Sequence, residues 1–215
     1  MFVVIFEVTP KPNRTDEYLQ LAQHLKPMVK AIDGFLDVER FTSRGREGRL
    51  LSLSTWRDEK AVIRWRSQAE HRRVQAYGRT QVFADYRLRV GEVVSNGASP
   101  GAPSADATGA AHRQTVTVAE IMLEGLTAES PSSEEIGFPP EMPGLIDQES
   151  FASIYTPGKL VHLASWQDAA AARRSGPVRH PGLARQLEIR VMRDYGLIDR
   201  VEAPQPDATA KLARA

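Results

Sequence analysis

The stretch GFLDVERF at residues 34–41 returns as GLIDQESF at residues 144–151, and the register then holds without a gap as far as Asp58 and Asp168. Between residues 34 and 58, 10 of 25 positions are identical to the residue 110 positions later. A repeat of this length is too long for a stacked solenoid and has the size of a small domain. We therefore expect two copies of one domain, copy one at residues 1–95 and copy two at residues 113–203.

The apolar pattern of copy one predicts the element order β-α-β-β-α-β. Strand signals cover residues 2–8, 35–43, 49–57 and 83–94, and helix signals cover residues 15–32 and 58–78. Asn13 or Thr15 is suited to cap the first helix. The order is that of the ferredoxin-like α+β plan.

Copy two repeats the strand signals at residues 115–123, 145–156 and 159–167, but its helices are weaker. Proline is so dense between residues 125 and 143 that at most one helical turn, near residues 132–136, is expected there. A broken helix is predicted at residues 168–190 and a last strand at residues 191–202. In this part the repeat offset is 109, which aligns His71 with His180 and Tyr86 with Tyr195.

The first strand is apolar on both faces, so the uncovered face of each sheet needs a partner. We expect the two copies to face each other as a dimeric-type α/β barrel within one chain, an intrachain pseudo-dimer that leaves a homodimer possible. Residues 96–112 are rich in Gly, Ala, Ser and Pro and are predicted to be a flexible linker. Residues 204–215 are predicted to be a disordered tail.

Composition narrows the function classes. The 215-residue chain has no cysteine, which excludes disulfides and thiolate sites, and its net charge is +1. No apolar run reaches membrane-spanning length, and no basic stripe interleaved with aromatics indicates nucleic acid, so a cytoplasmic protein is expected. Residues 1–95 carry 17 Lys and Arg against 12 Asp and Glu, whereas the rest is acidic, so the halves could attract each other or an anionic ligand.

The string SLSTWRDEKAVIRWRS at residues 52–67, followed by His71 and by Gly78-Arg79, resembles the antibiotic biosynthesis monooxygenase domain of the dimeric α/β-barrel superfamily. A tryptophan that ends strand three and a second tryptophan nine residues later are typical of it. The resemblance implies cofactor-independent oxygenation of quinol-like or anthrone-like aromatics in some members. It implies haem degradation in others and no established activity in many.

Trp65 and His71 are the candidate catalytic residues. The apolar stripe of the second helix skips a position, which predicts a kink around residues 66–70 that could bring the two side chains to one cavity. His71 would assist deprotonation and Trp65 would orient the substrate ring. The alternative is a core tryptophan beside a surface histidine. His24, Tyr77 and Arg66 are further candidates for substrate binding.

Other recurrent residues have structural interpretations. Trp56 and Trp166 are expected in the core, and the repeated acids Glu39 and Glu149 are expected to form interface ion pairs rather than to act as bases. The haem-degrading pattern would need an asparagine on the first strand and a histidine near Gln75, and both are missing.

Three functions therefore stay open. The first is a cofactor-independent monooxygenase acting on an electron-rich aromatic, with its activity in copy one. The second is a non-catalytic binding or structural module, and the third and weakest is haem binding or degradation. An open cavity touching Trp65 and His71 would favour the first, and a filled core the second.

Overall fold

The computed structural model describes residues 1–96, 114–123 and 131–204. The strands are β1 (Phe2–Pro10), β2 (Phe35–Ser43), β3 (Leu50–Trp56), β4 (Phe83–Asn96), β5 (Thr115–Met122), β6 (Leu145–Ser153), β7 (Lys159–Trp166) and β8 (Leu183–Gly196). The helices are α1 (Thr15–Lys30), α2 (Glu59–Ser67), α3 (Ala69–Tyr77) and α4 (Ala169–Ser175), and a π-helical turn covers Gly78–Val82. The predicted linker, apart from Asn96, and the predicted tail after Pro204 lie outside the described residues.

The strands close into one antiparallel barrel in the order β1-β3-β2-β6-β7-β5-β8-β4. In each copy the first strand lies between the third and the last, as the ferredoxin-like plan requires. The copies join where β2 pairs with β6 and where β4 pairs with β8. The prediction of a dimeric-type barrel within one chain is confirmed.

The barrel interior is a single apolar cluster built from both copies. Strand residues alternate between faces, so every second side chain of each strand points inward. Val3 and Ile5 of β1 meet Val116 and Val118 of β5 there. Burial of these inward side chains is what holds the two sheets together.

The helices cover the outer faces of the sheets. On copy one, α1 buries Tyr18, Ala22, Leu25 and Val29, which form the predicted apolar stripe. The residue before α1 is Arg14, which makes no side-chain cap, so the prediction of an Asn13 or Thr15 cap is wrong. Arg14 N–H instead bonds the Lys11 carbonyl in a tight turn.

Several residues shared by the repeat build the same turn twice. Gly34 and Gly144 have φ of +88° and +84°, a region that side-chain-bearing residues avoid. A Cβ there would lie 2.7 Å from Ala61 Cβ and 2.5 Å from Ala171 Cβ. Asp58, before α2, accepts the backbone N–H of Ala61 at 2.8 Å, and Asp168, before α4, accepts that of Ala171 at 2.8 Å. The residues that are identical in the two copies therefore mark the start of a strand and the cap of a helix.

The repeated glutamates form ion pairs between the copies, as predicted. Each hairpin holds the acid of the other copy: Ser43 and Arg49 contact Glu149, and Ser153 and Lys159 contact Glu39. Arg46 adds pairs to Asp147 and Glu149. Opposite charges on the two halves thus meet at the joint between β2 and β6.

The last part of copy two differs from the prediction. The helix ends at Ser175 rather than continuing to residue 190, and β8 begins at Leu183 rather than residue 191. Gly176 with φ +75° ends the helix, and no helix forms in the short segment before β8. The single turn expected near residues 132–136 is present, with the Ile136 N–H bonding the Ser132 carbonyl at 3.3 Å.

Strand pairing also corrects the offset of 109. Glu7 pairs with Arg87 in copy one, and Glu120 pairs with Arg185 in copy two, so β4 and β8 correspond at an offset of 98. Tyr195 therefore lies opposite Leu88 across the joint between the copies and is not the equivalent of Tyr86. His180 likewise lies outside any helix and is not the equivalent of His71.

Candidate functional site

The second helix of copy one is broken in two, as the skipped position predicted. α2 ends at Ser67, and Gln68, with ψ of 127°, leaves the helical region. The Gln68 side chain then accepts the Glu70 N–H and starts α3. The chain direction changes between Trp65 and His71, which lie on either side of the break.

The break brings Trp65 and His71 into direct contact. Their rings are parallel within 15°, with centroids 4.0 Å apart. His71 Nδ1 lies 3.0 Å from the Trp65 carbonyl oxygen. Because a carbonyl only accepts, this contact places the proton on Nδ1 and the lone pair on Nε2. Burial lowers the pKa of His71 to about 4, against the opposing effect of the Trp65 carbonyl, so the ring is neutral at pH 7.

Trp65 lies on the outer face of copy one, in a cluster with Val29 and Trp56. Both Trp65 and His71 are half-buried. The arrangement is neither a fully buried tryptophan nor a free surface histidine. Trp56 and Trp166, in contrast, are 1% and 0% exposed and are core residues, as expected.

His24 and Tyr77 line a surface depression of about 410 Å³ between α1 and α3. Tyr77 donates its hydroxyl to Glu17 at 2.6 Å, and His24 Nε2 lies 2.9 Å from Glu70 Oε1. Trp65 and His71 do not line this depression. Arg66 is half-buried on α2 and lies near Tyr195 of copy two. The five predicted residues therefore form a stacked pair, a neighbouring depression and a separate arginine.

An aromatic cluster under the first half of α1 was missed by the sequence analysis. Phe6, Tyr18, Phe83 and Tyr86 form a set of ring contacts with centroids 5.5–6.0 Å apart. Copy two contributes to the same outer face. Its residues there are Ile154, Tyr195 and Leu197, and Arg200 donates to the Tyr86 hydroxyl at 2.6 Å. The alternation of side chains along β1 and β4 could have indicated the residues that copy one contributes to this cluster. The contacts from copy two have no signal in the sequence.

Arg40 and Ser52 were also missed. Both lie on outward positions of neighbouring strands, where they are paired across β2 and β3. The buried Tyr18 hydroxyl lies against both of them. Burial raises the pKa of Tyr18, with Arg40 opposing the rise, so the phenol is protonated and able to donate.

The equivalent face of copy two is filled. Ile136 and Phe138 lie where α1 would be and pack on Trp166 and Ala171. His162, at the position of Ser52, stacks on Phe138 with ring centroids 5.4 Å apart. Its Nδ1 lies 2.8 Å from Ser150 Oγ and its Nε2 lies 3.2 Å from Gln148 Oε1. Both ring nitrogens have partners, and burial lowers the pKa of His162 to about 4.

Within residues 1–96, 114–123 and 131–204, no group of three or more His, Asp or Glu side chains is arranged to hold a metal ion. In the same residues no helix has the length and apolarity needed to cross a membrane.

Comparison with known proteins agrees with this architecture. The family model described as antibiotic biosynthesis monooxygenase matches residues 1–77. A protein of Pyricularia oryzae named jasmonate monooxygenase ABM is 37% identical over 215 residues, 95% of this chain and 97% of the relative. The uncharacterized protein YqjZ of Bacillus subtilis is 30% identical over 92 residues, 43% of this chain and 78% of the relative.

Among solved structures, an aldoxime dehydratase in complex with butyraldoxime has a TM-score of 0.53 at 10% identity, covering 88% of this chain and 79% of that one. This likeness concerns the fold alone. The fold is a dimeric-type α/β barrel, and both the helices and the candidate site lie on the outer face of its sheet. The chain belongs to the antibiotic biosynthesis monooxygenase family.

Proposed function

We propose that this protein is a monooxygenase that oxidises a small organic molecule on the outer face of copy one. The contact between His71 and Trp65 carries the proposal. It supplies a neutral imidazole with an available lone pair beside a large aromatic surface. Membership of a monooxygenase family and the name of the Pyricularia oryzae relative support the reaction type.

His71 is the proposed general base. Its Nδ1 proton is held by the Trp65 carbonyl, and no described residue is within hydrogen-bond distance of Nε2. A pKa of about 4 keeps the base unprotonated above about pH 5. The same low pKa makes it a weak base, so the substrate must have an acidic proton, as in an electron-rich aromatic such as an anthrone (C–H) or a quinol (O–H).

For an anthrone-like CH₂ group the reaction needs no added reductant. Nε2 takes one C–H proton, and the carbanion gives two electrons to O₂ as the C–O bond forms. The imidazolium returns its proton to the distal oxygen to give a hydroperoxide. Loss of the second C–H proton then breaks the O–O bond and leaves a ketone and water. The substrate supplies all four electrons, in keeping with the cofactor-free chemistry that the family resemblance implies.

A jasmonate-type molecule is the second candidate substrate, favoured by the name of the 37% identical relative. Jasmonate is an apolar carboxylic acid and not an aromatic. In jasmonate the acidic C–H bonds flank the ring ketone, so proton removal, addition of O₂ and loss of water at that CH₂ group would give a diketone with the same balance and no added reductant.

A non-catalytic binding module is the second candidate function. The specific observation in its favour is that His71 itself covers the ring of Trp65 at 4.0 Å, and that the described depression beside it touches neither residue. A substrate would have to displace His71 from the ring or approach from its Nε2 side.

Oxygen uptake distinguishes the two functions. The purified protein is offered a panel of anthrones, quinols and jasmonate without added cofactor, together with His71→Gln. We expect uptake of one O₂ per molecule of product with one panel member, and loss of that uptake in His71→Gln. Binding without oxygen uptake across the panel would support the binding module. Unchanged uptake in His71→Gln would remove His71 as the base.

A further inference from the structure

Arg40 is a half-buried cation whose charge is not balanced by a neighbouring acid. Within the part of the chain that the structure describes, no carboxylate lies within ion-pair distance of its guanidinium, and its buried Nε has no hydrogen-bond partner. An unpaired charge removed from water is costly, so such groups are normally paired. The position therefore needs an explanation.

The other buried or partly buried arginines on the strands and hairpins do have acids. Arg89 and Arg190 also leave a buried Nε unbonded, but their guanidinium groups bond Glu7 and Glu92 at 2.5 Å. Arg49 bonds Glu7 in the same way. Arg40 differs from these in lying under α1, where its neighbours include the neutral hydroxyls of Tyr18 and Ser52.

Copy two shows the same two positions with their polar groups satisfied. The residues 110 positions after Arg40 and Ser52 are Ser150 and His162. They bond each other at 2.8 Å, and Phe138 covers them. A self-sufficient neutral pair is thus compatible with this point of the barrel. Copy one instead has a cation and two hydroxyl groups, without an anion.

We infer that Arg40, with the hydroxyls of Tyr18 and Ser52, forms an anchor for the carboxylate of an apolar small molecule bound on the outer face of copy one. A guanidinium binds a carboxylate through parallel N–H donors, and a protonated phenol beside it adds a third donor. Phe6, Phe83 and Tyr86, which cluster with Tyr18, provide apolar surface for the rest of the molecule.

The anchor and the stacked pair lie under opposite ends of α1. Tyr18 marks the anchor, and Val29 packs in the cluster that contains Trp65. At a rise of about 1.5 Å per residue the eleven intervening steps span about 16 Å. An elongated ligand bound at Arg40 by one end would reach toward Trp65 and His71 with the other. The reach toward Trp65 and His71 deepens the proposed function and rests on it, whereas the binding of a carboxylate at Arg40 does not depend on it.

The side from which a ligand would reach Arg40 is the one beside the hairpin of copy two. The Ile154 N–H bonds the Arg40 carbonyl oxygen at 2.9 Å, so residues 154 and 155 lie next to the anchor. Tyr155 and Leu19 line a second depression of about 470 Å³ on this side. Tyr155 is 51% exposed and its ring contacts Lys26 Nζ at 5.6 Å, while Asp16 also lines the depression, so its mouth has charges of both signs.

The test compares acids with their methyl esters. Affinities of the parent protein for jasmonate, decanoate and 1-naphthoate and for the three methyl esters are measured by calorimetry under anaerobic conditions. We expect at least one acid to bind about tenfold or more tightly than its ester, as the loss of charged hydrogen bonds predicts. Arg40→Gln should abolish that preference by weakening the acid and not the ester.

Arg44→Gln is the matched control, since it removes the same charge from an exposed position four residues away. It should leave the preference unchanged. The melting temperature of Arg40→Gln should equal or exceed that of the parent, because an unpaired charge is removed, and Arg40→Lys provides a second variant that keeps the charge.

Three outcomes would overturn the anchor: equal binding of acids and esters, binding of none of the six molecules, or a preference that survives Arg40→Gln. Acid binding through Arg40 without oxygen uptake on any substrate would instead keep the anchor and remove the proposed activity. The two proposals can therefore fail separately.

Discussion

The outer faces of the two copies show what the repeat keeps and what it changes. Both sheets retain the strand-ending tryptophan, the left-handed glycine and the aspartate cap, and both form half of one barrel. Copy one is covered by α1, α2 and α3, with a neutral histidine on α3 and an unbalanced arginine beneath α1. Copy two is covered by Ile136 and Phe138, and its buried histidine is fully bonded. Residues shared by the copies build the barrel, and residues that differ decide whether its outer face can accept a ligand.

The largest expected effect is one that should be equal in the two copies. Trp56→Ala and Trp166→Ala should each lower the free energy of unfolding by about 3–5 kcal/mol, because each removes a large buried aromatic ring. Urea denaturation of the two variants measures the costs. A cost near zero for either variant would show that the two strands do not have equivalent roles.

The second effect should be unequal. His71→Gln should lower kcat/KM on the preferred substrate by about 10²–10⁴, the usual contribution of a general base. His162→Gln, which changes the buried histidine of copy two, should leave kcat/KM near the parent value, because Phe138 and two hydrogen bonds already fill that site. Steady-state oxygen uptake of both variants provides the comparison. A larger loss in His162→Gln would place the chemistry in copy two.

The interface glutamates provide a finer comparison. Burial favours the neutral form of Glu39, but hydrogen bonds from Lys159 and Ser153 outweigh it and lower the pKa. At Glu149 burial outweighs Ser43 and Arg49, and the pKa is raised. Glu39→Gln should therefore cost about 1–3 kcal/mol at pH 7, and Glu149→Gln should cost less. Equal costs in urea denaturation would mean that the two acids are equivalent.

Acid should destabilise the protein through His71 and His162. Their folded pKa of about 4 lies below the ordinary 6.5, so the unfolded chain binds more protons between these values. Stability is thus unaffected by them above pH 6.5 and falls as the pH drops from 6.5 toward 4, by roughly 1–3 kcal/mol for each. His162→Gln should flatten this part of the stability profile. A profile identical to that of the parent would contradict a buried neutral histidine in copy two.

The smallest effects belong to the depression between α1 and α3. His24→Ala and Tyr77→Phe remove one partly exposed contact each, to Glu70 and Glu17. Each should change the free energy of unfolding by about 0.5 kcal/mol or less. A substrate affinity lowered more than about tenfold by either variant would extend the site into this depression.

The sequence predicted the barrel because the repeat and the alternation of apolar residues along the strands can be read directly from the order of the residues. It also predicted the helix break between Trp65 and His71 from one skipped position. It predicted a last strand in copy two but misplaced the start of β8, since the register of that strand is fixed by pairing with β4 and β5 and not by its own residues. Arg40 was missed for a related reason: whether an arginine on a strand has an acid beside it depends on neighbours distant in the chain.

The most direct test of the difference between the copies is a crystal structure of the protein with its preferred ligand. The account predicts electron density on the outer face of copy one, under α1, between Arg40 and the pair formed by Trp65 and His71. It predicts no ligand beneath Phe138 in copy two. Density against His162, or inside the barrel, would contradict the account.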